Sequence, residues 1–183
     1  MKTNNKQICV LGLGYVGLTL SATLATSGFK VIGVEIREKI LDDLENKKPH
    51  FYEPNLKKIL TKVIKNKSFQ FYNSIPKNWS GDTFIITVGT PLDKNGKSRL
   101  DLIKNVSNEV SQFIKKKDLV ILRSTVKVGT SRNVVKKIIE KKEPNFDLAF
   151  CPERTQEGKA LTEVKKIPQI IGGINKSSSN RAK

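Results

Sequence analysis

The sequence predicts an α/β fold: a doubly wound, mostly parallel sheet with helices on both faces. Short apolar runs of strand type recur along the chain, at residues 8–11, 31–34, 69–72, 82–88, 118–122, 146–150 and 169–171. Amphipathic stretches at helical spacing lie between most of them, and alternation of this kind gives parallel strands joined by helical crossovers. The first run also passes straight into Gly12-Leu13-Gly14-Tyr15-Val16-Gly17, which opens a helical segment ending at Gly28.

That glycine pattern, in that setting, is a Rossmann-type dinucleotide signature. Gly12 permits the tight strand-to-helix turn, Gly14 presents no side chain to a pyrophosphate, and Gly17 lets the helix lie close to the sheet. The backbone amides from Gly14 through Tyr15 and Val16 to Gly17 then sit at the positive end of the helix, facing the phosphates. Glu35 ends the next strand, 23 residues after Gly12, where an acid can hold the adenine ribose hydroxyls and disfavour a 2′-phosphate. The expected cofactor is therefore NAD rather than NADP.

The remaining elements follow in order. A short helix is expected over 38–46, and the loop 48–54 follows, with Pro54 suited to the first turn of a helix carrying Leu56, Ile59, Leu60, Val63 and Ile64. After the strand at 82–88, Gly89-Thr90-Pro91 begins a turn-rich loop reaching Lys97. Ligands of open α/β sheets lie outside the carboxyl ends of the strands, so this loop is expected to border the cofactor. A helix over 101–115 should bury Leu102, Val106, Val110 and Phe113. The strand at 118–122 leads into Arg123-Ser124-Thr125-Val126, and Gly129-Thr130 opens a helix through Val134, Val135, Ile138 and Ile139. The strand at 146–150 runs into Cys151-Pro152-Glu153-Arg154, and a short strand at 169–171 precedes Gly172-Gly173. Residues 1–174 are thus expected to be one NAD-binding domain. Residues 175–183 read as the cap and first turn of a helix cut short.

Composition narrows the function. The chain has 183 residues, a formal charge of +17, two cysteines and one histidine. No run of 18 apolar residues occurs, and Met1 to Lys6 carry no signal-peptide pattern, so a cytoplasmic protein with no membrane attachment is expected. Cys9 and Cys151 fall in predicted core strands, where a free thiol behaves as a small hydrophobe; neither a disulfide framework nor a metal site is expected. His50 reads as a loop residue. Only six of the 34 basic residues are arginine, and the lysines are scattered with no interleaved aromatics. That is a solvated surface rather than a specific nucleic-acid face.

Several motifs in one order resemble the UDP-glucose/GDP-mannose dehydrogenase family, the nucleotide-sugar dehydrogenases. They are the glycine loop, Tyr52-Glu53-Pro54-Asn55-Leu56, Val88-Gly89-Thr90-Pro91, Ser124-Thr125-Val126 with Gly129-Thr130, Pro152-Glu153-Arg154 with Glu157-Gly158, and Ile171-Gly172-Gly173. The likeness covers the whole chain but only the family's N-terminal domain. It implies oxidation of the C6 alcohol of a UDP-sugar to the uronic acid with two NAD, through a thiohemiacetal and a thioester on a cysteine. It further implies that Glu153 is the general base that hydrolyses the thioester, and that Thr125 positions the water beside the nicotinamide. By the same resemblance Thr90 and Glu157 contact the cofactor, and Glu153, Arg154 and Glu157 line the sugar nucleotide. Read by residue type alone, Glu153 and Glu157 are surface carboxylates paired with Arg154 and Lys159, Thr125 is a helix cap, and Thr90-Pro91 is a turn.

Two departures from the family matter. Its nucleophilic cysteine and substrate domain are not in these residues, and Cys151, in a strand setting, is expected to be inert. The chain alone is therefore expected to bind NAD without turnover. A non-catalytic NAD-binding module is the alternative. Where the family places a basic residue five positions after the strand-end acid, this chain has Ile40, leaving Arg37 or Lys39 as substitutes. Pro152-Glu153-Arg154 looks more like the UDP-N-acetylmannosamine branch than the UDP-glucose branch. Family dimers are built on a central helix beyond this region, so a homodimer is expected of the full-length enzyme and a monomer of this chain.

Overall fold

A computed structural model of the protein describes residues 7–96 and 98–183. The expectations for Met1 to Lys6, and the Lys97 end of the turn-rich loop, lie outside the described residues. The strands are β1 (Gln7–Leu11), β2 (Lys30–Val34), β3 (Phe69–Tyr72), β4 (Thr83–Ile86), β5 (Leu119–Leu122), β6 (Asp147–Phe150) and β7 (Gly172–Gly173). The helices are α1 (Tyr15–Thr26), α2 (Glu38–Glu45), α3 (Leu56–Lys65), α4 (Asp101–Ser111), α5 (Lys137–Ile139), α6 (Ala160–Glu163) and α7 (Lys176–Arg181), with a π-helical stretch, Ser131–Lys136, leading into α5. The seven strands form a mostly parallel sheet, the doubly wound α/β class that the alternation predicts.

The chain folds as two compact units. One comprises the described residues of Met1–Gly81 with Arg154–Pro168, the other those of Asp82–Glu153 with Gln169–Lys183.

In the first unit the order is β3-β2-β1, all parallel, with Cys9 opposite Ile32 and Ile32 opposite Gln70. β1 is buried from Ile8 onward, and α1 buries eight residues, most of them small. Thr19 and Thr23 tolerate burial because each hydroxyl donates to a carbonyl one turn back, to Tyr15 at 2.8 Å and to Thr19 at 2.9 Å. Gly33 marks the tightest packing: a Cβ there would lie 2.8 Å from the Leu13 side chain and 2.9 Å from the Phe69 ring. α3 starts at Leu56, later than Pro54 suggests. Asn55 precedes it at φ 67°, a left-handed conformation that asparagine tolerates, so Pro54 stays outside the first turn.

In the second unit the order is β4-β5-β6-β7, with β7 antiparallel to β6. Two expectations need correction here. The buried stripe of α4 is Ile103, Ser107, Val110 and Ser111, continued by Ile114; of the expected face Val110 is buried, while Leu102, Val106 and Phe113 are half-buried. The stripe is turned by one residue because Ser107 can occupy the core, its hydroxyl donating to the Ile103 carbonyl at 2.7 Å. The final strand pairs at Gly172–Gly173, not at 169–171. A side chain at Gly173 would collide with Ser179 and Asn175, so only glycine passes beneath α7 at that point. The helix start expected at 175 is present. The Asn175 side chain accepts the Ser178 amide at 2.8 Å, and Arg181 pairs with Asp147 at 3.0 Å.

Candidate functional site

The glycine loop takes the shape its residues predict. Gly12 sits at φ 94°, in the left-handed region that favours glycine, and its amide donates to the Val34 carbonyl at 2.8 Å. Gly14 precedes the first residue of α1. A Cβ added there would meet nothing within 4 Å, so that side of the loop is open. No side chain caps α1, and its first turn, from Tyr15 and Val16 to the buried Gly17, holds no acidic residue. A bare helix start beside open space fits a dinucleotide pyrophosphate, which the backbone amides of this turn would hold.

Glu35 follows β2 and is 4% exposed. Its carboxylate accepts the Leu13 amide at 3.0 Å, tying the strand-end acid to the glycine loop. It also accepts three donors of Arg37: the backbone amide at 3.1 Å, and Nε and Nη2 at 3.0 Å each. Burial works to raise this carboxyl, but the Arg37 hydrogen bonds and charge and the Leu13 amide outweigh it and hold the group below its ordinary value. Arg37, one of the two basic residues that the sequence offers in place of Ile40, thus folds back on Glu35 while staying 59% exposed.

Tyr15 commits its hydroxyl within the first unit. It donates to the Glu53 carboxylate at 2.6 Å and accepts the Gly158 amide at 2.8 Å. Glu53, in the Tyr-Glu-Pro motif, is 5% exposed, and its other oxygen accepts the Leu161 amide at 3.1 Å. Sequence reading assigned Glu53 no role. Its signal was a carboxylate between an aromatic residue and a proline at the end of a loop. Glu157 is exposed, and Arg154 donates to the Pro168 carbonyl at 3.0 Å. The lone histidine, His50, is a loop residue stacked edge-on against Phe51, its Nδ1 buried without a hydrogen-bond partner.

In the second unit the strand-end loops are tied together. The Thr90 hydroxyl donates to the Thr125 carbonyl at 2.7 Å, and the Ser124 hydroxyl to the Val88 carbonyl at 2.7 Å. Thr125 itself is exposed. Glu153 lies just beyond β6 and pairs with Arg123, on the loop after β5. Arg123 Nη2 is 2.6 Å from the carboxylate, with side-chain exposures of 8% and 12%. Arg123 Nη1 donates to Gln169 at 3.2 Å, and its Nε is buried without a hydrogen-bond partner. Arg123 is a residue that sequence reading missed. The available signal was a charge set directly after the apolar run of β5. Cys151 is 3% exposed, and burial pushes its thiol up from the ordinary value, against the opposing charge of Arg123. A thiol so placed is a poor nucleophile.

Fold and site together define a dinucleotide-binding domain of dehydrogenase type. The sequence pattern of the UDP-glucose/GDP-mannose dehydrogenase family, NAD binding domain, matches residues 6–183, and the chain belongs to that family. It is 37% identical to a UDP-N-acetyl-D-mannosamine dehydrogenase of Methanococcus vannielii, over 100% of this chain and 42% of that protein. Among solved structures it resembles a UDP-N-acetyl-mannosamine dehydrogenase from Staphylococcus aureus, with TM-score 0.89 and 30% identity over 97% of this chain and 44% of that one. It also resembles a UDP-glucose dehydrogenase from Pyrobaculum islandicum, with TM-score 0.90 and 27% identity over 99% of this chain and 44% of that one. The chain therefore spans less than half the length of the relatives it matches. No helix among the described residues is long and apolar enough to cross a membrane.

Proposed function

We propose that the chain is the NAD-binding half of a nucleotide-sugar 6-dehydrogenase whose whole protein oxidises the C6 alcohol of a UDP-sugar to the uronic acid. The observation that carries this reading is the family match over residues 6–183, laid on a glycine loop with an open Gly14 and an uncapped α1. NAD supplies the hydride acceptor when bound. The backbone from Gly14 to Gly17 holds its pyrophosphate, Glu35 its adenine ribose, and Thr90, Thr125 and Glu157 are the further cofactor contacts. Glu153 is the general base, and the Arg123 pair sets the direction of its carboxylate. Glu153, Arg154 and Glu157 are the substrate-side residues.

UDP-N-acetylmannosamine is the favoured substrate and UDP-glucose the next. The Pro152-Glu153-Arg154 sequence and the names of the relatives support that order. Both cysteines are buried, Cys9 at 0% and Cys151 at 3%, which supports NAD binding without turnover by this chain alone. The chain is read as a cytoplasmic monomer, and the full-length enzyme as a homodimer. Residues 1–174 form the cofactor domain in this reading, with 175–183 beginning the next helix. The test is a pair of assays on the chain: calorimetric titration with NAD, and NADH absorbance with UDP-N-acetylmannosamine or UDP-glucose. NAD binding with no NADH is the expected result. In the full-length enzyme, a higher kcat/KM for UDP-glucose would overturn the substrate order.

A further inference from the structure

The Tyr15 hydroxyl and the Glu53 carboxylate meet a stretch of chain more than 100 positions away in sequence. Residues 151–156 have no regular secondary structure, and a turn follows before α6 begins at Ala160. Within that stretch Gly158 adopts φ 82°, which only glycine takes up without strain. Two of its backbone amides, and one in the first turn of α6, end on side chains. The Gln156 amide donates to Glu163 at 2.7 Å, the Gly158 amide to the Tyr15 hydroxyl at 2.8 Å, and the Leu161 amide to Glu53 at 3.1 Å. The Gln156 carbonyl also lies 3.1 Å from the Tyr15 hydroxyl. Glu53 thereby closes the first turn of α6 with one oxygen and grips Tyr15 with the other. Tyr15 is in turn the first residue of α1, the helix whose opening turn is the pyrophosphate cradle.

We propose that Tyr15 and Glu53 are positioning residues, a brace that fixes the backbone of residues 156–161 on the first turn of α1 and couples its order to occupancy of the glycine loop. The coupling rests on the reading of that loop as the NAD cradle. A ligand that stiffens the first turn of α1 holds Tyr15 still. Tyr15 then holds Gly158 directly, and Leu161 through Glu53. The stretch so fixed carries Glu157, which makes the brace a device for holding that residue more firmly when the cradle is filled. Burial, then the adjoining Glu53 carboxylate, push the Tyr15 phenol up to about 12, so the hydroxyl keeps its proton and the brace stays closed through neutral pH. The tyrosine contributes its backbone, not its hydroxyl, to cofactor binding.

The test is amide hydrogen exchange of this chain with and without NAD, alongside an NAD titration, for wild type, Tyr15→Phe and Glu53→Gln. Tyr15→Phe keeps the ring that packs 4.8 Å from Phe51 and removes only the hydroxyl. In the absence of NAD, the Gly158 amide should exchange about tenfold faster in Tyr15→Phe, the change expected for one lost hydrogen bond. NAD should slow Gly158 and Leu161 exchange in the wild type and lose most of that effect in Tyr15→Phe. Glu53→Gln, which keeps one acceptor oxygen, should fall between the two and carries the comparison if Tyr15→Phe does not fold. Wild-type exchange rates and wild-type NAD protection in a folded Tyr15→Phe protein would overturn the brace. Failure of the wild type to bind NAD would instead sink the cradle reading and the coupling with it.

Discussion

The Leu13 amide donates to the Glu35 carboxylate at 3.0 Å, so the acid at the end of β2 is part of the glycine loop as well as a candidate ribose contact. Glu35→Ala leaves that buried amide without an acceptor, at a cost of about 1–3 kcal/mol. It should also weaken NAD and relax discrimination against NADP, because the 2′-phosphate no longer meets a carboxylate. Thermal unfolding and paired NAD and NADP titrations measure the two effects. An unchanged cofactor preference would assign discrimination to another residue.

Gly14 and Gly33 separate binding from folding. Gly14→Ala places its methyl in open space, so the melting temperature should stay close to wild type. NAD affinity should fall at least about tenfold, the equivalent of ~1.4 kcal/mol of lost phosphate contact. Gly33→Ala drives a methyl against Leu13 and Phe69, and should destabilise the protein by about 1–3 kcal/mol. Circular dichroism melts with NAD titrations on both variants resolve the pair.

The Arg123 and Glu153 pair is nearly buried, so removing one member strands the other. Arg123→Ala should cost about 3–5 kcal/mol of stability, read as a lowered urea midpoint. Glu153→Gln keeps an acceptor for Arg123 and should cost much less. In the full-length enzyme the same Glu153→Gln change should stall hydrolysis and let a covalent intermediate accumulate, visible by mass spectrometry. Normal turnover would remove Glu153 from the role of base.

Asp147 gives a pH dependence of defined sign. Burial works to raise its carboxyl, but hydrogen bonds from Arg181, Ser178 and Ser177 outweigh this and hold it below its ordinary value. Its contribution to stability is therefore complete above the unfolded value of about 3.9 and is lost as pH falls through the lower folded value. Melting curves of wild type and Asp147→Asn should differ at pH 7, and the gap should begin to close as pH falls below about 4. A constant gap over that range would show that the charge on Asp147 does not matter.

What the sequence made legible follows from what local patterns encode. β3 occupies residues 69–72 as alternation predicts, and Asn175 caps α7 as its residue type predicts. The glycine loop was readable because a turn at Gly12 and an open Gly14 are properties of single residues. The face of α4 was misread because hydrophobicity does not mark Ser107, whose hydroxyl is satisfied inside the helix. β7 was misplaced because the crossing of Gly173 under α7 is a tertiary constraint. Arg123 escaped notice because its partner is 30 residues away, beyond any pattern of neighbouring charges. The return of Arg37 to Glu35 likewise depends on a bend after β2 that composition does not reveal.

The central claim, that Gly12 to Gly17 and Glu35 form an NAD cradle, is tested most directly by calorimetric titration of the folded chain with NAD and with NADP. Saturable NAD binding that exceeds NADP binding is the predicted result. No NAD binding at millimolar concentration, in a sample with a cooperative melt, would contradict it.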